Sequence, residues 1–368
     1  MKANQSWRDH AEGEESSPFL PRTARDLPEG RHEFHKERLM AHIQQESQRD
    51  RSVRSVTPAR SRTRGFRLAR PALALPVTAL AVAGAVVAGT ALVNGGGGHP
   101  GSIATGPVLT TAVGATTTKG LPQLLHQAST AAAREAHPAV KPGQYVYIES
   151  MTANTFVRTV DDKSSLAGYA LHRRQIWQSA DGTKGWLIDP SVNKDSKGET
   201  LSLSDERGNT PKAGVGHPSY DYLARLTTDP GKLLKLIYKE TEGQGNTPDQ
   251  QAFTTIGDLL TESYPPAELY SALFKAAMKI PGVVMVNDAR DALGRPGVAV
   301  ARQDETSGER EEWIFDNKTH VFLGDRTVQV KKVVEYGVVV KPGTIRYTSA
   351  ITRRTIVDGM EQVPAQNS

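Results

Sequence analysis

The sequence predicts an α+β fold, an antiparallel sheet with a helical insertion, joined to one transmembrane helix. Three observations carry this. Pro71 to Val93 reads PALALPVTALAVAGAVVAGTALV, without a charge, directly after an Arg-rich stretch. Further along, short runs of alternating apolar residues stand on both sides of a middle section with helical period. The turns between the later runs are too short to hold crossover helices, which makes those strands antiparallel neighbours.

The uncharged run is long enough to cross a hydrocarbon core of about 30 Å at about 1.5 Å per residue. It shows no polar face, which separates it from a core helix, and some 70 polar residues precede it, unlike a secretory leader. Its orientation follows from charge. Arg60, Arg62, Arg64, Arg67 and Arg70 abut its start, and no Lys, Arg, Asp or Glu follows until Lys119. Basic residues beside a span stay in the cytoplasm. The N-terminus is therefore expected inside and the C-terminal domain outside, in a single-pass protein of the cell membrane. Ala81, Ala85 and Gly89 form a row of small residues on which two spans can pack.

Residues 1–70 form the cytoplasmic part, polar and Pro-punctuated at its start and expected without fixed structure there. The stretch near 29–47 carries the one helical pattern on this side. Phe34, Leu39, Met40 and Ile43 make a thin apolar stripe, expected to bind a partner's groove rather than fold alone. His32, His35 and His42 share a side of that helix but lack supporting carboxylates, so no metal is expected there. The Arg run is read as a topology signal and lipid contact, and no nucleic acid is expected as a partner.

Residues 94–120 are Gly/Thr/Ala-rich and read as a flexible spacer. The outer α+β domain is placed at 121–358, with a tail at 359–368. It opens with a helix from Leu121, stopped by Lys141-Pro142-Gly143, and a strand over 144–150. Two strands at 171–178 and 185–189 are joined by a turn at Asp181-Gly182. Helices are announced by Asp229-Pro230, by Thr247-Pro248 with Gln250 placed for a capping box, and by Pro265-Pro266. Strands return with VVMVND, GVAVARQ, REEWIFD, HVFLGD, TVQVKKVVEYGVVV and TIRYTSAI, turning at 293–297, 305–308 and 316–319.

The order of features, with RDLPEGRHEFHKERLMAHI (25–43) ahead of an Arg-rich anchor, KPGQYVYIES (141–150), TTDPGKLLKLIY (227–238) and YPPAELYSALFKAAMKIPGV (264–283), resembles an actinobacterial membrane-protein family. Genes of that family commonly stand beside those for extracytoplasmic-function sigma factors. The resemblance covers nearly the whole chain and implies a cytoplasmic transcription-regulatory partner, but no active residues. A looser likeness is to curved half-barrel sheets with helices in the concavity, as in lipoprotein carriers and periplasmic regulators of anti-sigma factors. It implies a half-barrel-like sheet and, as an alternative function, a carrier of a hydrophobic extracytoplasmic ligand.

Cysteine is absent, which removes disulfides, thiolate metal sites and cysteine nucleophiles. Neither G-x-S-x-G, H-E-x-x-H nor a Walker A loop occurs. His126, His137, His172, His217 and His320 are scattered and read as structural. His217, Ser219 and Asp221 bring triad residue types together in one loop, whereas working triads converge from distant segments. Glu309 to Glu312 read as a solvated hairpin face, Trp177, Trp186, Trp313 and Phe315 as sheet core, and Asn317-Lys318-Thr319 matches a glycosylation sequon. No catalytic, metal or cofactor residues are assigned. The expected function is regulatory or sensory, not enzymatic.

Overall fold

The computed structural model describes residues 105–135, 137–160, 162–193, 196–201 and 212–365. The expected span at 71–93, the helix near 29–47 and the Arg run lie outside the described residues. No helix among the described residues is long and apolar enough to cross a membrane.

The first half holds β1 (Thr105–Gly106), β2 (Thr116–Thr117), α1 (Leu121–Arg134), β3 (Tyr145–Val160), β4 (Lys163–Ser179), β5 (Gly185–Ile188) and β6 (Glu199–Thr200). Four helices follow, α2 (Tyr220–Leu223), α3 (Pro230–Glu240), α4 (Pro248–Glu262) and α5 (Ala267–Ala277). The chain ends with β7 (Val283–Arg290), β8 (Pro296–Gln303), β9 (Glu309–Asp316), β10 (Phe322–Gln329), β11 (Val333–Glu335), β12 (Val338–Val340) and β13 (Ile345–Val357). This is a mixed α+β fold with one large antiparallel sheet, ordered β2-β7-β8-β9-β10-β13-β3-β4-β5-β6, with β1 added on β4. The last strand closes the gap between the early hairpin and the late meander. Strands 11 and 12 form a separate hairpin.

Helices α2, α3 and α4 start where a side chain satisfies a free N–H group. Asp229 accepts from Lys232 N at 2.8 Å and Thr247 from Gln250 N at 3.2 Å, each followed by a Pro in the first turn. The reciprocal half of the expected capping box is not made. The Gln250 side chain instead accepts from Arg302 and reaches toward Glu311, because the sheet offers a charged partner. Leu124, Leu125, Leu233, Ile237, Phe253, Leu273 and Phe274 pack beneath one face of the sheet with Val300, Trp313 and Phe315. Trp313 stacks flat on Phe253 at 3.9 Å.

That stack touches Gly257 in the middle of α4. A Cβ there would lie 2.5 Å from Trp313 Nε1 and 2.6 Å from Glu311 Oε1. Glycine inside a helix normally costs about 1 kcal/mol relative to Ala. Here the close approach reverses the sign, so Gly257→Ala is expected to lower stability by about 1–3 kcal/mol through overpacking. A urea midpoint equal to or above wild type would refute this.

Several boundaries differ from expectation. The strands read at 144–150 and 171–178 are the inner halves of β3 and β4, whose outer halves lose apolar alternation beyond the register shift at Thr152/Asn154. The spacer expected over 94–120 is paired from Thr105 onward. Thr105 and Gly106 pair with Tyr169 and Gly168, Thr111 N donates to Gly343 O, and Thr116 and Thr117 pair with Val286 and Met285. This segment straps the sheet face away from the helices. The expected tail also docks, since Trp177 Nε1 donates to Gln362 O at 2.8 Å and Arg353 to Pro364 O at 2.8 Å.

The charge run of β9 is the largest departure. Alternation turns Glu311, Trp313 and Phe315 toward the helices and Arg310, Glu312 and Ile314 toward the strap. Glu312 is fully buried and Arg310 is 3 % exposed, so this is not a solvated hairpin face. Glu312 accepts from Arg310 Nε at 2.8 Å and from Arg326 Nε at 2.7 Å. The two guanidinium groups also reach Gly114 O and Thr111 Oγ1 of the strap.

Candidate functional site

A cleft of about 260 Å³ opens where β3, β4 and β13 meet the end of α4. Its chemistry comes from five places in the chain. His172 and Arg174 stand two apart on β4 and so share a face. Thr152 lies opposite His172 on β3, and Tyr347 opposite Asn154 from β13. Asp189 follows β5, and Glu262 is the last residue of α4.

Asp189 is the acceptor at the centre. It takes Ser191 N at 2.9 Å, Ser191 Oγ at 2.6 Å and His172 Nε2 at 3.1 Å, with Arg174 Nε 3.3 Å away. Burial opposes its ionisation, but the hydrogen bonds from His172 and Ser191 outweigh it and hold the carboxyl down at about 2. Arg174 also donates from Nη1 to both oxygens of Glu262, at 2.9 and 2.7 Å. A carboxylate at a helix C-terminus faces the negative end of the dipole, so Glu262 relies on that guanidinium.

Behind the cleft, between the sheet and α4, lie two more carboxyls, both half-buried. Asp325, bonded to Thr261 Oγ1 at 3.3 Å, is pushed up to about 8 by burial and then by Glu311 and Glu262. Burial also raises Glu311, against hydrogen bonds from Thr254 and Trp313. Burial, with Asp325 and Glu262 nearby, raises the Tyr347 hydroxyl well above its ordinary value. At neutral pH Asp325 is therefore largely protonated, while Asp189 stays ionised.

The cleft does not form a nucleophilic triad. Thr152 Oγ1 and Asp189 both address Nε2 of His172, while Nδ1 faces Ala170 O at 2.8 Å. A working triad places nucleophile and carboxylate on opposite ring nitrogens. Among the described residues, no group of three or more His, Asp or Glu could hold a metal ion.

The residues singled out in sequence are placed elsewhere. Phe34, Leu39, Met40, Ile43 and Arg60 to Arg70 lie outside the described residues. Ser219 is the N-cap of α2, accepting from Tyr222 N at 3.1 Å, and so is committed to the backbone. His137, with its side chain 6 % exposed, packs against Tyr264 and Tyr270, and burial pushes its pKa down. Trp177, Trp313 and Phe315 are fully buried core and Trp186 is half-buried. Asn317 is exposed in the β9–β10 turn.

In sequence His172 is one of several scattered histidines, and Arg174, Asp189, Glu262 and Tyr347 carry no motif. The available signal was local: an H-x-R pair on an expected strand and an Asp closing the next strand of the same hairpin. No family model matches the chain, and no curated protein matches it.

Proposed function

We propose that this chain is a membrane-anchored regulatory or sensory protein, spanning at 71–93 with its N-terminus in the cytoplasm, whose outer domain receives a small charged ligand in the Arg174 cleft. The observation that carries the reading is a solvent-open cleft built from an Arg, a His and two carboxylates. Such groups are costly to gather unless they are paired with one another or with a ligand. Glu262, its side chain 35 % exposed, is the member best placed to exchange its partner.

The alternative, a carrier for a hydrophobic ligand, is less well supported. The apolar face of the sheet is filled by the helices, with Trp313, Phe253 and Phe274 wholly buried. The register shifts along β3, β7, β10 and β13 favour a sheet that curls around those helices in half-barrel fashion. Pairing from Thr105 leaves only 94–104 between the span and the domain, at most about 40 Å fully extended. That is a tighter mechanical link than a spacer running to residue 120.

Thermal unfolding of the full chain with a panel of small carboxylates, amines and phosphates tests the ligand. A true ligand at about 100 times its Kd is expected to raise Tm by about 5–10 °C, and Glu262→Gln to abolish that shift. A panel without effect, or an unchanged shift in the variant, rejects the cleft. Capture experiments with the intact protein test the regulatory half: if no cytoplasmic transcription-regulatory protein is retained through residues 1–70, that half fails.

A further inference from the structure

Strands β11 and β12 stand apart from the large sheet and are joined by Tyr336-Gly337, with φ of 47° and 78°. Two consecutive positive φ values make a two-residue hairpin turn of the I′ kind, normally the place of Asn-Gly. A tyrosine held there is strained, and the ring it presents is 84 % exposed. Val334 and Val339 are cross-strand partners on the outward face, 63 % and 39 % exposed. The opposite face is anchored: Val340 is fully buried, and Glu335 takes Arg346 Nη2 at 3.0 and 2.9 Å.

The hairpin is flanked by exposed Lys331, Lys332 and Lys341. Lys331 pairs with Glu305, while Lys332 and Lys341 make no ion pair among the described residues. A ring at the tip, two exposed valines below it and lysines at the base match a segment that sits in lipid headgroups. Its location agrees. The hairpin base is bonded to the strap where the chain arrives, through Gly343 O to Thr111 N and Leu109 O to Ile345 N. The hairpin thus lies beside the stretch of chain nearest the span.

We propose that the β11–β12 hairpin rests in the outer leaflet of the membrane, with Tyr336, Val334 and Val339 among the headgroups and Lys332 and Lys341 on anionic phosphates. This rests on the reading of 71–93 as a membrane anchor. Docking fixes the tilt of the domain on the bilayer and adds a contact that responds to lipid charge.

The absence of cysteine allows single-site labelling. Full chains carrying Ala85→Cys, Val334→Cys, Tyr336→Cys or Leu293→Cys are labelled with an environment-sensitive dye. They are reconstituted in phosphatidylethanolamine–phosphatidylglycerol vesicles containing spin-labelled lipid. Leu293 is 40 % exposed in the β7–β8 turn at the opposite end of the sheet.

Expected is deep quenching at 85, shallow quenching with a blue shift at 334 and 336, and none at 293. Lys332→Glu and Lys341→Glu are each expected to lower the docked-to-undocked ratio about fivefold in anionic vesicles. Tyr336→Asn, which suits the turn better, is expected to fold normally and dock less. Quenching at 85 without quenching at 336 overturns the hairpin contact and leaves the anchor standing. No quenching at 85 overturns the anchor and this proposal with it. Shielding at 336 that persists in detergent and fades on dilution identifies a second copy of the chain and overturns the lipid contact.

Discussion

Glu312→Ala is expected to destabilise the folded chain by about 3–5 kcal/mol, the largest single-residue loss anticipated here. Glu312 is fully buried and is the one carboxylate bonded to both Arg310 and Arg326. Its removal leaves two buried guanidinium groups as diagonal neighbours on β9 and β10, where like charges repel. They also hold Gly114 and Thr111, so the strap over 105–120 loosens with them. Urea denaturation followed by tryptophan emission measures the loss, and faster tryptic cleavage at Lys119 reports the strap. Replacing Arg310, Glu312 and Arg326 together by apolar residues of similar volume is expected to restore most of the stability. If Glu312→Ala alone were neutral, the ion group would not be the clamp described.

Asp325→Asn is expected to act in the opposite direction, increasingly as pH rises above about 4. The carboxyl of Asp325 is raised from 3.8 to about 8, by burial first and then by Glu311 and Glu262. A folded pKa above the unfolded one means that the native state holds the extra proton. That contribution is complete below the unfolded value and is lost as pH rises from about 4 to about 8. The groups facing Asp325 make the direction firm: Glu262 and Glu311 repel its charge, while Thr261 and Arg174 offset only part. The amide cannot ionise, so the variant is expected to gain about 2–4 kcal/mol at pH 8 and little at pH 4. Denaturation midpoints across that range test it, and a variant less stable than wild type at pH 8 would contradict the assignment.

Much of the helical layer was legible because its signals are local. Asp229-Pro230 and Thr247-Pro248 start α3 and α4 through capping and fixed φ, and Pro265-Pro266 starts α5 through fixed φ alone, all of which involve neighbouring residues only. The meander turns at 293–297, 305–308 and 316–319 were legible for the same reason. The outer halves of β3 and β4 were not, since a register shift moves side chains to the other face and breaks the alternation. The charge run at 309–312 misled because charge usually marks solvent, and only the partner strand and the strap reveal its burial. The cleft was illegible because Thr152, Arg174, Asp189, Glu262 and Tyr347 meet through pairings across the whole domain.

By itself the sequence determined the α+β class, the antiparallel meander, the helix starts and the absence of thiol chemistry, since each follows from local periodicity, capping or composition. Tertiary structure alone decided that β13 joins the two halves of the sheet, that residues 105–120 strap its face, that Glu312 is enclosed and that Asp325 lies half-buried beside other carboxyls. Those outcomes depend on which distant strands pair and how much water their contact excludes, and excluded water sets both the cost of a charge and the strength of its partners.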